Sequence, residues 1–234
     1  KKVACIGAGP ASLTVANDLL PLGYEVVIFE QWDKPGGLMR TNIPAFRLPE
    51  TVLAEEIGYI EQMGAQIRYN SRIDSMNKLL ATGVFDAVFV GSGAPKGKEL
   101  KLPGRAEGDA NIHIGINWLE SVAFKHLDKI GEKVLIIGVG NTAMDCCRSS
   151  LRLGAKNVKV MARKPRQFFK ASEWELEDAE SENVEIVVNH SPKAFVVENG
   201  RLKGMLFEQM AYDFDARGRI TAERVTGETF IAAD

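Results

Sequence analysis

One unit of sequence occurs twice in this chain: an apolar strand, a glycine turn, a helix and a second apolar strand. The first copy runs through Lys2 to Ile6, the turn Gly7-Ala8-Gly9-Pro10-Ala11-Ser12, a helix from about Ala11 to Leu20, and a strand from Glu25 to Glu30. Pro21-Leu22-Gly23 separates that helix from the strand, as a breaker cluster should. The second copy runs through Lys133 to Ile137, the turn Gly138-Val139-Gly140-Asn141-Thr142-Ala143, a helix from Thr142 to Leu153, and a strand from Val158 to Met161. Near-continuous apolar strands such as Val26-Val27-Ile28-Phe29 suit parallel sheets covered on both faces. The two turns, at Gly7 and Gly138, lie too far apart for neighbouring units of one sheet. Two domains of one design are expected.

The turns themselves indicate what such domains hold. The first glycine takes a backbone shape other residues resist, the second lets a pyrophosphate approach the main chain, and the third small residue lets helix and strand pack closely. The helix N-terminus then offers free N–H groups and partial positive charge to phosphates. The fold expected is α/β with two Rossmann-like dinucleotide-binding domains, at 1–112 and 113–234. In the first turn Gly7, Gly9, Pro10, Ala11 and Ser12 are candidates, although Ser12 departs from the usual Gly or Ala. Glu30 ends the following strand, where a carboxylate suits the ribose hydroxyls of an adenosine; Gln31 follows it. In the second turn Gly138, Gly140 and Ala143 fit the pattern fully. No acid follows its second strand. Arg163, Lys164, Arg166 and Lys170 stand there instead, a basic group that favours a 2′-phosphate and so NADP(H), with NAD(H) as the alternative. A solvated basic loop is the bland reading. FAD in the first site and NADP(H) in the second is the economical assignment. Gly91-Ser92-Gly93 supports it as the small-residue end of a strand passing close to a flavin dinucleotide.

The remaining chain adds a helix from about Glu50 to Met63 with Gly64 as its cap, short strands at Gln66 to Tyr69 and Phe85 to Val90, and a Gly- and Pro-rich stretch over 94–111. A helix at Ile116 to Leu127, a charged helix at Ser172 to Glu182, a strand at Val184 to Val188 and hairpins at Asn199-Gly200 and Arg217-Gly218 follow. Composition excludes several classes. The net charge of −2 provides no drive for non-specific nucleic-acid binding, and no stretch is long and apolar enough to span a membrane. Three cysteines, two of them adjacent, form no closed disulfide framework and no metal-spaced set. A reducing, cytoplasmic setting is expected, with no metal site in this chain. The opening shows no signal-peptide pattern, and Thr229 to Asp234 reads as the approach to another strand. A segment of a longer protein is expected.

Three further runs are distinctive: Gly36-Gly37-Leu38-Met39-Arg40, then Ile43-Pro44-Ala45-Phe46-Arg47-Leu48-Pro49, and Gly140-Asn141-Thr142-Ala143-Met144-Asp145 followed by Arg163-Lys164. With the first turn they span essentially the whole chain. Together they resemble the small (beta) subunit of bacterial glutamate synthase, a family pattern shared by the FAD- and NADPH-binding portion of dihydropyrimidine dehydrogenase and by the large subunit of electron-bifurcating ferredoxin–NADP oxidoreductase. The resemblance implies that Gly36, Gly37, Leu38 and Arg47 lie along FAD. It implies that Asn141, Thr142 and Asp145 sit at the nicotinamide dinucleotide, with Arg163, Lys164 and Lys170 at the 2′-phosphate. It also implies an FAD domain interrupted by an inserted NAD(P)H domain. The C-terminal return to the FAD domain and a cysteine-rich iron–sulfur domain are both missing from this sequence. The implied activity is hydride transfer between NAD(P)H and FAD, with electrons relayed to or from iron–sulfur clusters on a missing domain or partner subunit of a larger redox complex.

The cofactors supply that chemistry, so no side chain is assigned a catalytic role. A flavin disulfide reductase needs a redox cysteine pair, and only Cys146-Cys147 is on offer, inside an expected helix that aims adjacent side chains about 100° apart. The GGLMR and FRLP runs argue against a flavin monooxygenase. A module that holds FAD as an electron relay without using NAD(P)H is the remaining alternative. His113, His126 and His190 are scattered and read as packing or surface residues.

Overall fold

The computed structural model describes all 234 residues, Lys1–Asp234. They form two compact units, Lys1–Lys96 and Gly97–Asp234.

The first unit is built on a parallel sheet of four strands. β1 (Lys2–Ile6) feeds the glycine turn and α1 (Pro10–Leu19), and β2 (Glu25–Phe29) returns alongside β1. A short α2 (Leu38–Thr41) and a longer α3 (Glu50–Gln62) precede β3 (Gln66–Arg68), which pairs with β2. α4 (Met76–Ala81) then leads into β4 (Ala87–Val90) beside β1, giving the order β3-β2-β1-β4. Alternate residues of the strands bury opposite ways. Val3, Cys5, Val26 and Ile28 pack with Leu13 and Ala16 of α1 and with Leu53 and Ile57 of α3. Ala4, Val27 and Phe29 pack with Phe85 and Leu79 on the other face. Both faces are covered, which is why these strands read as unbroken apolar runs.

The second unit repeats the motif and adds a second sheet. α5 (Gly115–Ala123) precedes β5 (Lys133–Ile137), α6 (Asn141–Arg152) and β6 (Asn157–Met161), and α7 (Glu173–Ser181) leads to β7 (Glu185–Val187). These strands are parallel, in the order β5-β6-β7. Val158 and Val160 of β6 pack with Met144, Cys147 and Leu176 of the helices. Met161 and Leu135 pack on the other face against Phe195, Met205 and Phe207. Those three belong to an antiparallel meander of β8 (His190–Glu198), β9 (Arg201–Phe214) and β10 (Ile220–Ala232), turning at Asn199-Gly200 and around Gly218.

Two expectations need correction, and one helix was not anticipated. The expected boundary at 112/113 lies earlier, between Lys96 and Gly97. The reason is packing: Leu102 and Ile112 join the Phe195 cluster, and Phe195 N–H donates to Pro103 O at 2.9 Å. Thr229 to Ala232 do not approach a further strand but are the end of β10, paired with β9. α4, with its first turn capped by Ser75 Oγ at Lys78 N–H (3.3 Å), lies in a stretch to which the sequence reading assigned no element.

Candidate functional site

The first glycine turn is a closely fitted piece of backbone. Gly7 has φ +90°, and its N–H donates to Phe29 O at 2.8 Å. A Cβ there would lie 2.7 Å from Gly91 O, so only glycine fits. Ser12 is fully buried and faces Gly91 so closely that a Cβ on Gly91 would collide with the Ser12 hydroxyl. The third small position of the turn and the end of β4 therefore constrain each other. Gly9 is the N-cap of α1, with no side-chain cap and with Pro10 in the first turn. Ala11 is exposed there. The helix end keeps donors and partial positive charge available for a phosphate group.

Gly36 and Gly37 lie over this turn. Gly36 N–H donates to Ala8 O at 2.8 Å, and a Cβ on Gly37 (φ +50°) would meet Gly9 Cα at 2.9 Å. Arg40 fixes the segment, donating from Nε to Pro35 O at 2.7 Å and pairing with Glu50 at 2.6 Å. Leu38 is exposed at the start of α2, and Arg47 is half-buried in the turn after Pro44. Gln31 is exposed, as is Gly93 (φ +71°) in the loop after β4.

Glu30 does something the sequence did not reveal. Its carboxylate is buried beneath the turn, where Oε2 accepts from Ala8 N–H at 2.7 Å and Oε1 from Trp32 N–H at 3.0 Å. It stabilises the loop that would hold the phosphates. Lone pairs remain on both oxygens for a further donor.

The second turn is open. Gly138 (φ +118°) donates its N–H to Met161 O at 3.1 Å, and Gly140 is the N-cap of α6, again without a side-chain cap. A Cβ on either glycine would meet nothing within 4 Å. Gly138 is needed for its positive φ. Gly140, at φ −104° and facing open space, has no requirement within the protein for being glycine. Asn141 and Thr142 are exposed, and Asn141 Oδ1 accepts from Ser172 N–H at 3.2 Å. Ala143 is buried in the first turn of α6, and Asp145 is also buried, so it is not displayed to solvent beside them. An open cavity of about 780 Å³ along β5 reaches Gly138, Gly140 and Thr142 but not the basic group Arg163, Lys164, Arg166 and Lys170.

Those basic residues are delivered to the turn by the backbone. The segment leaves β6 at Arg163 and returns to the loop, where Lys170 N–H and Ala171 N–H both donate to Val139 O (3.1 and 3.0 Å). Arg163, Lys164 and Lys170 are exposed. Arg166 is engaged elsewhere, bonded to Glu173 and Glu180 at 2.7 and 2.5 Å. An acid that local sequence does not show also stands here. Glu223, from β10, pairs with Arg163 at 2.7 Å.

The three thiols are free and buried. Burial pushes Cys5 up to about 11 and Cys147 up to about 12, and raises Cys146 further still. Thiols held so far from ionisation are poor nucleophiles at neutral pH. No group of three His, Cys, Asp or Glu side chains is assembled that could hold a metal ion, and no helix is long and apolar enough to cross a membrane.

Comparison with known proteins identifies the family. The chain is 37% identical to the NADP(+)-dependent formate dehydrogenase subunit beta of Moorella thermoacetica, over 98% of this chain and 33% of that protein. It is 34% identical to the glutamate synthase [NADPH] small chain of Escherichia coli, over 100% of this chain and 52% of that one. The chain thus spans between a third and about half of these relatives. Among solved structures, FprA of Mycobacterium tuberculosis in complex with NADPH shares the fold with a TM-score of 0.81 at 16% identity, over 99% of this chain and 69% of that one. A model described as pyridine nucleotide-disulphide oxidoreductase matches residues 1–222. The chain belongs to the pyridine nucleotide-disulphide oxidoreductase family, whose members bind FAD and use NADP(H).

Proposed function

We propose that this chain holds FAD on its first unit and NADP(H) on its second, as the nucleotide-handling part of an oxidoreductase that relays electrons to or from iron–sulfur centres on a partner subunit or domain. The observation that carries the reading is the second turn: an open, uncapped helix end at Gly140, with Lys170 hydrogen-bonded back to that turn through its backbone. When bound, the cofactors supply hydride transfer between nicotinamide and flavin. The protein's own residues bind and orient.

In the first unit Gly7, Gly9, Pro10, Ala11 and Ser12 shape the phosphate site, and Gly37 and Leu38 cover it. Gly91 and Gly93 keep side chains away from it. Glu30 braces the loop through Ala8 and uses its remaining lone pairs for ribose hydroxyls. Gln31 and Arg47 extend the same binding strip. In the second unit Gly138 and Gly140 admit the pyrophosphate, Asn141 and Thr142 border it, and Ala143 and Asp145 pack behind them. Arg163, Lys164 and Lys170 take the 2′-phosphate. A partner is supported by the relatives, which are named as a beta subunit and a small chain. Free, buried thiols fit a reducing, cytoplasmic setting.

The test is anaerobic reduction of the full-length protein, followed by flavin absorption, with NADPH and separately with NADH. Fast bleaching by NADPH and little by NADH is expected. A preference for NADH would sink the phosphate assignment, and no bleaching by either would favour an electron-relay module that does not use nicotinamide nucleotides.

A further inference from the structure

The segment that carries Arg163 is clamped by the far end of the β9–β10 hairpin. Tyr212 O–H donates to Arg163 O at 2.6 Å, and Glu223, the cross-strand neighbour of Tyr212, pairs with the Arg163 guanidinium at 2.7 Å. Gln167 Nε2 donates to Gly218 O at the hairpin turn (3.3 Å). The rings of Phe168 and Phe214 stack at 6.3 Å with 12° between their planes. Lys164 Nζ lies 5.6 Å from the Phe168 ring centre. Four separate contacts from one hairpin thus fix the segment's backbone, its aromatic anchor and its leading cation.

We propose that Glu223 is a selectivity residue: it occupies Arg163 as a counter-ion that a 2′-phosphate must displace, and so limits the protein's preference for NADP(H) over NAD(H). The inference rests on the assignment of Arg163 to the 2′-phosphate. Arg163 and Glu223 keep 52% and 44% of their side chains exposed, so a ligand from solvent can reach the pair. An ion pair this exposed is weak, so an incoming phosphate can break it. The Glu223 carboxylate also repels the phosphate directly, as an acid does in sites that favour an unphosphorylated ribose. Tyr212 holds the Arg163 backbone by its own hydrogen bond, so the guanidinium can change partner while the main chain stays in place.

The test is binding of adenosine 2′,5′-bisphosphate and of adenosine 5′-monophosphate to the full-length protein by calorimetry, for wild type, Glu223→Gln and Arg163→Ala. Neither probe involves the flavin. Glu223→Gln is expected to tighten the bisphosphate about two- to fivefold, to leave the monophosphate unchanged, and to lose this gain as salt is raised. Arg163→Ala should remove most of the bisphosphate's advantage. If Arg163→Ala does so but Glu223→Gln leaves the bisphosphate unchanged or weakens it, Glu223 is not a competitor and the inference is overturned while the phosphate assignment stands. If Arg163→Ala leaves the advantage intact, the phosphate assignment falls and the competitor role falls with it.

Discussion

At the residue scale, the two glycines of the second turn separate what the protein needs from what a ligand needs. Gly138→Ala puts a side chain at φ +118°, a strain of about 1–3 kcal/mol. Any loss of binding would then be confounded with damage. Gly140→Ala is the cleaner probe, because its φ of −104° suits any residue and the added Cβ meets no atom within 4 Å. It should cost about 1 kcal/mol or less, as a weaker N-cap, yet weaken adenosine 2′,5′-bisphosphate binding at least about tenfold by filling the approach of its 5′-phosphate, which takes the adenosine-side half of the pyrophosphate site. Thermal melting and calorimetry on one preparation check both halves, and undiminished binding would remove the second turn from the site. Glu30 and Glu223 show how far such residues were legible. Glu30 could be read as the acid at the strand end, because only spacing was needed. That its carboxylate folds under its own loop to Ala8 depends on a side-chain conformation that spacing does not set. Glu223 could not be found at all, since the hairpin register that brings it to Arg163 places the two far apart in sequence.

At the element scale, α6 and α7 are joined by a cluster of charges as well as by apolar packing. Arg148, buried on α6, bonds to Asp178 at 2.9 Å and to Glu182 at 2.9 Å, and Arg152 bonds to Glu182 at 2.6 Å. The hydrogen bond from Arg152, then those from Arg148, hold the Glu182 carboxyl down to about 2 from an ordinary 4.5. A depressed carboxyl contributes stability above its unfolded pKa and loses it as pH falls towards the folded one. With Glu182 one-quarter exposed, the contribution is on the order of 2–3 kcal/mol. Glu182→Gln should therefore lower stability by about that much at pH 7, with the gap closing between pH 4.5 and pH 2. Urea unfolding at stepped pH measures it; a gap independent of pH would show that the pair does not act through charge. The elements themselves were mostly visible in sequence. Parallel strands show as apolar runs, and the helices after each glycine turn have sharp beginnings. The meander was seen only as hairpins. β10 is largely exposed, and register shifts near Ile220 and Val225 interrupt the alternation that would have revealed the full length of β9 and β10.

At the scale of the whole molecule, the repeat read from sequence corresponds to two units with separate cores. Val26, Ile28 and Leu53 serve the first, and Val158, Val160 and Leu176 the second. The division between them was misplaced because 97–112 looks like a linker by composition. Two of its few apolar residues, Leu102 and Ile112, pack it into the second unit. Separate cores imply that the two proposed nucleotide sites can be lost one at a time. Gly37→Ala would push a Cβ to 2.9 Å from Gly9 Cα at a φ of +50°, which displaces the cover of the first turn and leaves the second unit's residues unchanged. The full-length variant should retain little flavin while binding adenosine 2′,5′-bisphosphate within about twofold of wild type, as independent sites do. Gly140→Ala should do the converse, keeping its flavin and losing the bisphosphate. Flavin-to-protein absorbance ratios and calorimetry on the two variants give the four values needed. If Gly37→Ala weakens bisphosphate binding as severely as it depletes flavin, the sites are not separable and the division of labour between the units is wrong.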